Sequence, residues 1–358
     1  MPKAPPVRAL ADTNRTQHHL HLASYTSPTP LFLCCSRSGA HEAGCKAEGF
    51  EFVFAIVHPG RKWSFPPNLS DEAIKSAPRY SAGEGVSILA SLNADVAQSH
   101  LFCYLGVSTY RAVLDLLNIP FVGGSVDAMC LTTHKGRTRA VIEEAGVPVA
   151  KGEVLRKGDR PSLTPPFILK PCSEDNSMGL YVVKDESEID DALAGALQFD
   201  DEVLCEAFVP PGREIRFAVL EDDDGEPTVI LPGVEYFLTQ DKPVRTSNDK
   251  THVDADGKPL KFAKPSRACP ADIDDALLAK LSDAVIRAHK ALGCRDYSLY
   301  DFRIDNEGNP FCLEASLFCC FAPNSVICLM ADATGRPELQ PHSLFKTLLR
   351  RAAGRKAD

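Results

Sequence analysis

The stretch Asp301–Pro323, DFRIDNEGNPFCLEASLFCCFAP, carries two alternating apolar and polar runs on either side of an NEGN centre, the pattern of a β-hairpin. Pairing about that centre sets Asp301 opposite Glu314, Arg303 opposite Cys312 and Leu299 opposite Ser316. Because side chains alternate between faces, Phe302, Ile304, Phe311, Leu313 and Ala315 then share one face, and Asp301, Arg303, Cys312, Glu314 and Ser316 the other. Two carboxylates directly opposite each other repel. Half-buried, they must share a proton, pair with cations or bind a metal. An ion pair between Arg303 and its neighbours is the plain structural reading of the hairpin, and a metal site is the functional one.

The whole chain, of 358 residues and 44% hydrophobic, is long enough for two or three compact units that share buried interfaces. Its net charge is -9, and no Lys/Arg stripe interleaves with aromatics, so a nucleic-acid partner is not expected. The apolar run FEFVFAIV at 50 to 57 is far below the roughly 20 residues that span a bilayer. No membrane role follows, and without an apolar signal core the expected location is the cytoplasm. Thirteen cysteines include no CxxC pair, and Cys103, Cys130, Cys205, Cys294 and Cys328 sit in apolar runs. They read as reduced thiols acting as small hydrophobes. Residues 1–17 carry Lys3, Arg8 and Arg15 against one acid, which reads as a disordered extension, with an organellar transit peptide as the alternative.

Strands are expected at HLHLAS (19 to 24), FEFVFAIVHP (50 to 59) and ADVAQSHLF (94 to 102), with a helix from Leu31 and another in YRAVLDLLNI. That alternation predicts a parallel-sheet α/β unit over 18–130, without a GxGxxG fingerprint. A second unit, 131–210, holds a helix ending at Gly146, strands PFILKPC and GLYVVKD around a loop of small polar residues, and strand DEVLCEAFV. The third, 211–358, opens on strand REIRFAVLE and contains a long helix from about Asp272 to Gly293, directly before the hairpin. The later units thus mix α and β in α+β fashion.

Lys170 lies at the end of PFILKPC, before a loop returning at Gly179; such a loop can lay backbone N–H groups and a lysine along a polyphosphate. In VLCEAFVPPGREIR, a strand ends in Glu206 and a second acid, Glu214, follows a short apolar connector. In this order and spacing the segments resemble the ATP-grasp superfamily, and its D-alanine:D-alanine ligase branch in particular, over residues 110 to 332. The resemblance implies an ATP-grasp fold preceded by an N-terminal parallel-sheet domain. It further implies that Lys135 (in HKGRTR) and Lys170 bind nucleotide and that Asn176, Ser177 and Gly179 belong to a phosphate-covering loop. Glu206, Ala207, Phe208 and Val209 would hold adenine, Glu214 the ribose, and Asp301 and Glu314 magnesium, or manganese in its place.

The chain departs from that branch at Leu299, where the branch has arginine, at Ser316 in place of the asparagine of E-x-N, and in LFCCFAP (317 to 323), where a glycine-containing segment is usual. With GCRDYSLYDFRID and FCLEASLFCCFAPNSV it is similar instead to the D-Ala-D-Ala-ligase-like enzymes of mycosporine-like amino acid biosynthesis. That resemblance implies ATP-driven joining of a second amino acid (Ser, Thr, Gly or Ala) to mycosporine-glycine, giving an imine such as shinorine or porphyra-334, by a homodimer. By position it makes Ser316 a third metal ligand, and Arg303, Cys320 and Ser325 residues of the substrate site, with Lys250 reaching the transferred phosphate. Each has a plain alternative: an ion pair for Arg303, a pocket wall for Cys320, a helix N-cap for Ser325, a solvated side chain for Lys250. A dipeptide ligase acting through an acyl phosphate and a non-catalytic ATP-binding protein are the competing functions.

Overall fold

The computed structural model describes residues 30–34 through their backbone, and residues 50–210, 212–239, 241, 243–245, 267–319, 321 and 325–355 in full. A first sheet has the order β3-β2-β1-β4, made from β1 (Pro30–Cys34), β2 (Val53–His58), β3 (Lys62–Ser64) and β4 (Val96–His100). The centre, β2-β1-β4, is parallel, as the alternation of strands with helices predicts. The sequence reading is corrected at two points here. The segment from Leu31 is the central strand rather than a helix, because its β neighbours cover it from both edges, and tertiary pairing overrides local propensity. The edge strand β3, antiparallel to β2, was not anticipated; it is three residues long and seats Trp63, 1% exposed, in the core. HLHLAS lies outside the described residues.

A second sheet, ordered β5-β8-β6-β7, consists of β5 (Gly152–Arg156), β6 (Phe167–Pro171), β7 (Tyr181–Val183) and β8 (Glu202–Ala207). All its pairings are antiparallel, and the helix Ile189–Ala196 covers one face through Ile189, Ala192, Leu193 and Ala196. The third sheet, ordered β11-β10-β9-β12-β13, contains β9 (Arg213–Leu220), β10 (Val229–Tyr236), β11 (Arg267–Ala268), β12 (Tyr297–Ile304) and β13 (Pro310–Ser316). The helix Asp275–Ala291 lies on one face, with Leu277, Leu281, Ala284, Val285 and Ala288 against Phe217, Tyr300 and Phe302. Its N-cap is Asp274, whose Oδ1 accepts from the Leu277 N–H at 2.7 Å, two residues later than Asp272, and Gly293 at φ +61° follows its end, the left-handed position glycine favours.

The hairpin β12–β13 has the expected pairs Asp301↔Glu314 and Leu299↔Ser316, but a bulge between Asp301 and Phe302 shifts the rest, so that Arg303 faces Phe311 and Phe302 faces Cys312. Two residues of β13 then oppose one of β12. Cys312 is turned into the core with Phe302 and Ala315, and Leu313 joins Glu314 on the polar side. The expected faces of Phe311, Cys312 and Leu313 are therefore reversed: strict alternation fails wherever one extra residue enters a strand.

The last helix, Pro341–Ala353, packs Leu344, Phe345, Leu348 and Leu349 against Val96 from the first sheet, Val122 beside that sheet, and Ala218 and Leu299 from the third. Next to this shared core, Asp296 is fully buried. It accepts from the Gly123 N–H at 2.7 Å and from Arg355 at 2.7 and 2.9 Å, while Arg355 also donates to the Phe121 carbonyl at 2.9 Å. Removing one partner of such a pair strands a buried charge. Asp296→Ala should lower unfolding stability by about 3–5 kcal/mol, read as a lower denaturation midpoint, with Asp296→Asn losing less.

Candidate active site

A cleft of about 810 Å3 opens between the second and third sheets. From the second come Ile168, Lys170, the loop Glu174–Met178 and the segment Glu206–Val209. From the third come Glu214, Asp301, Arg303, Leu313 and Glu314, Arg245 comes from the segment after β10, and Lys135 enters from the start of the helix Lys135–Glu144.

Each functional side chain has a local reason for its place. Lys170 and Glu206 lie on neighbouring strands, with Lys170 opposite Leu204 and Ile168 opposite Glu206, so the two are diagonal neighbours on one face. The Lys170 ammonium donates to Glu206 Oε1 at 2.5 Å and to the Leu313 carbonyl at 3.2 Å. Leu313 is the extra residue of the bulge, whose backbone the ladder leaves unpaired. Lys170 thus ties the second sheet to the third. Burial alone would lower its pKa, but Glu206, and then Glu314, outweigh it and raise the pKa, so the ammonium stays charged.

The loop after β6 turns through three left-handed residues, Asn176 at φ 54°, Ser177 at 58° and Gly179 at 67°. A Cβ at Gly179 would lie 2.7 Å from the Phe199 ring and 2.8 Å from Pro171, so glycine is required there by space as well as by φ. The loop leans over the cleft: Ser177 Oγ donates to the Arg245 carbonyl at 2.8 Å. Lys135 reaches the Glu174 carbonyl and stands 3.5 Å from Glu314 Oε1.

The paired carboxylates are met chiefly by arginine. Arg216, opposite Asp301 on β9, holds it bidentately at 2.5 and 2.6 Å. Arg245 donates to Asp301 Oδ2 at 3.3 Å and also pairs with Glu214, its guanidinium lying 3.8 Å from the Tyr236 ring centroid. Arg303 donates to Glu214 Oε2 at 2.9 Å and to the Pro243 carbonyl at 3.0 Å. Burial opposes the charge on Arg216 and Arg245, yet Asp301, with Glu214 for Arg245, raises both pKa values. These charge-assisted bonds lie in a confined space, where they are strong.

Of the residues expected in the site, Lys135, Lys170, Asn176, Ser177, Glu206, Ala207, Phe208, Val209, Glu214, Asp301, Arg303 and Glu314 meet in this cleft, and Gly179 shapes its loop. Ser316 is next in line after Glu314 on that side of β13 but does not line the cleft. Ser325 caps the helix Val326–Asp332, accepting from the Cys328 N–H at 3.4 Å. Lys250 and Cys320 lie outside the described residues. Arg303 pairs with Glu214 rather than with Glu314 or Asp305, because the bulge displaces the end of β13 relative to β12 while β9 stays in register beside it. Two site residues were missed. Arg216 follows Glu214 by two in a strand, which puts it on the same face, and that signal was available. Arg245 sits in a polar stretch without periodicity and left none.

Residues 141–350 match the model of the D-ala D-ala ligase C-terminus family. The chain belongs to the D-alanine–D-alanine ligase family of ATP-grasp ligases. A D-alanine–D-alanine ligase of Brucella anthropi is 30% identical over 70% of this chain and 79% of its own length. An uncharacterized protein, y4sG, of Sinorhizobium fredii is 30% identical over 63% of this chain and 64% of its own. Among the relatives compared, the matched part ranges from 62% to 80% of the relative's length. The D-alanine-D-alanine ligase of Coxiella burnetii has the same fold, with a TM-score of 0.73 at 19% identity, covering 93% of this chain and 95% of that one. So does the VanG D-Ala:D-Ser ligase of Enterococcus faecalis, with a TM-score of 0.74 at 18% identity over 91% and 99%. No helix among the described residues is long and apolar enough to cross a membrane.

For this ATP-grasp ligase the Lys170–Glu206 pair is a structural tie as well as a site feature. Lys170→Met should lower stability by about 3–5 kcal/mol because Glu206 is left charged and buried. Lys170→Met/Glu206→Gln should recover part of that loss in chemical denaturation. Equal losses in the single and double variants would show that the pair is not coupled.

Proposed function

We propose that the chain is an ATP-dependent carbon–nitrogen ligase that joins the amine of a second amino acid (Ser, Thr, Gly or Ala) to mycosporine-glycine. The observation that carries the reading is the convergence of Lys135, Lys170, Glu206, Glu214, Asp301 and Glu314 on one cleft. In this reading Lys135 and Lys170 hold the phosphates, assisted by the loop from Asn176 to Gly179. The segment Glu206–Val209 holds the adenine and Glu214 the ribose.

Magnesium is the cation such a site would use, and the donors fit it in part. Glu314 points into the cleft, a hard oxygen donor suited to Mg2+. Asp301 does not fit equally, since both its oxygens accept from guanidinium groups. Among the described residues no group of three or more His, Cys, Asp or Glu gathers at one point. Bound on Glu314, the cation would neutralise phosphate charge during transfer.

The chemistry matches the departures at positions 299 and 316. The substrate oxygen forms a bond to the γ-phosphorus as the bond from phosphorus to the β–γ bridging oxygen breaks, releasing ADP. The amine nitrogen then bonds to the ring carbon, the carbon–oxygen bond breaks with its electron pair leaving on phosphate, and the nitrogen sheds its protons to give the imine. Leu299, 2% exposed and opposite Ser316, offers no charge to a D-alanyl carboxylate. Arg303, on the site face, spends Nη2 on Glu214 and the Pro243 carbonyl, and its buried Nε and Nη1 have no partner among the described residues, which leaves donors for an amino-acid carboxylate.

A dipeptide ligase is the second reading, favoured by relatives named D-alanine–D-alanine ligases. Purified protein given ATP, magnesium, mycosporine-glycine and each amino acid in turn should release ADP and form a red-shifted imine. ADP release with two amino acids and no mycosporine-glycine would favour the second reading. Tight ATP binding without turnover would sink both. Glu314→Gln should lower turnover by about a hundredfold or more, without recovery at high magnesium.

A further inference from the structure

The polar face of the third sheet is laid out in rows across β10, β9, β12 and β13. One row runs Tyr236, Glu214, Arg303. The next runs Val234, Arg216, Asp301, Glu314. The third, Ala218, Leu299 and Ser316, passes into the core formed with the last helix. The charged part of the face therefore ends at the second row, and within that row an arginine, an aspartate and a glutamate stand on three successive strands.

Arg216 and Asp301 form a matched pair. They are direct cross-strand partners, and both N–H···O distances, 2.5 and 2.6 Å, are those of a strong fork-to-carboxylate contact. Asp301 is 4% exposed, and Arg245 approaches the same carboxylate from the cleft side at 3.3 Å. To coordinate a divalent ion, Asp301 would have to give up a bidentate guanidinium in a site with little water to replace it. Glu314 differs. It lines the cleft, and the ammonium of Lys135 that stands 3.5 Å away is a compact charge on a flexible stem rather than a forked guanidinium.

We propose that Arg216 is a built-in cation of this site: paired with Asp301, it stands in the place of a second divalent ion, so that the ligase binds nucleotide with one divalent cation, held on Glu314. The assignment rests on the nucleotide-ligase reading of the cleft. Arg216 does not line the cleft itself; it is a positioning residue that acts through Asp301. Asp301 in turn orients the Arg245 guanidinium, which does line the cleft. The fixed positive charge gives this row the neutralisation that a metal would otherwise bring, without dependence on free metal concentration.

The test counts ions. With a saturating non-hydrolysable ATP analogue, Mn2+ bound per chain is measured from the loss of the free Mn2+ electron paramagnetic resonance signal. One ion is expected for the wild type and two for Arg216→Met, in which the carboxylate is released from its guanidinium. A second variant, Asp301→Asn, keeps the side-chain shape and is expected to bind one Mn2+ with an affinity within about threefold of wild type, whereas loss of a true ligand would weaken it by about tenfold or more. Two ions in the wild type, one in Arg216→Met, or a tenfold loss in Asp301→Asn each overturns the assignment. A wild type that binds the analogue with two ions overturns this inference alone. One that binds no analogue overturns the nucleotide-ligase reading and this inference with it.

Discussion

Glu214 and Asp301, each 4% exposed, are held in the third sheet by three guanidinium groups, and the architecture of the cleft depends on that compensation. Two buried carboxylates this close cannot both remain ionised without cations. Arg216 answers from the neighbouring strand, Arg303 from two residues along Asp301's own strand, and Arg245 from the segment after β10. Because a guanidinium is planar and forked, each pair also fixes direction. The network sets where Glu214, Asp301 and the cleft wall stand relative to one another.

The second sheet is attached to that network at few points, each with a clear origin. Lys170 crosses to the Leu313 carbonyl, and this acceptor exists because a bulge withdraws Leu313 from the ladder. Ser177 crosses to the Arg245 carbonyl from a loop whose left-handed residues let it lean over the cleft. A hinge-like cleft with a few strong polar links suits an enzyme that must admit a nucleotide and then exclude water.

Much of this organisation could be read from the chain alone. The alternation of strands and helices predicted a parallel sheet, the 3.6-residue stripe predicted the long helix before the hairpin, and the two-residue alternation predicted the hairpin with Asp301 opposite Glu314. The reading went wrong at β1, where a five-residue segment takes its conformation from neighbours on both sides, and at Cys312, where a single inserted residue reversed the faces. Both errors have one cause: short-range pattern carries no information about the partner strand.

Sequence by itself determined the ordered set of lysines and acids, through which the chain resembles the ATP-grasp superfamily, because side-chain chemistry and spacing along a strand are local properties. Only the tertiary structure decided what each acid is paired with. That Asp301 meets Arg216 and Arg245, that Arg303 meets Glu214, and that Glu314 stands near Lys135 at the cleft follows from strand order and register. Electrostatic compensation acts across space between residues 85 or 89 positions apart, and no spacing within the chain encodes it.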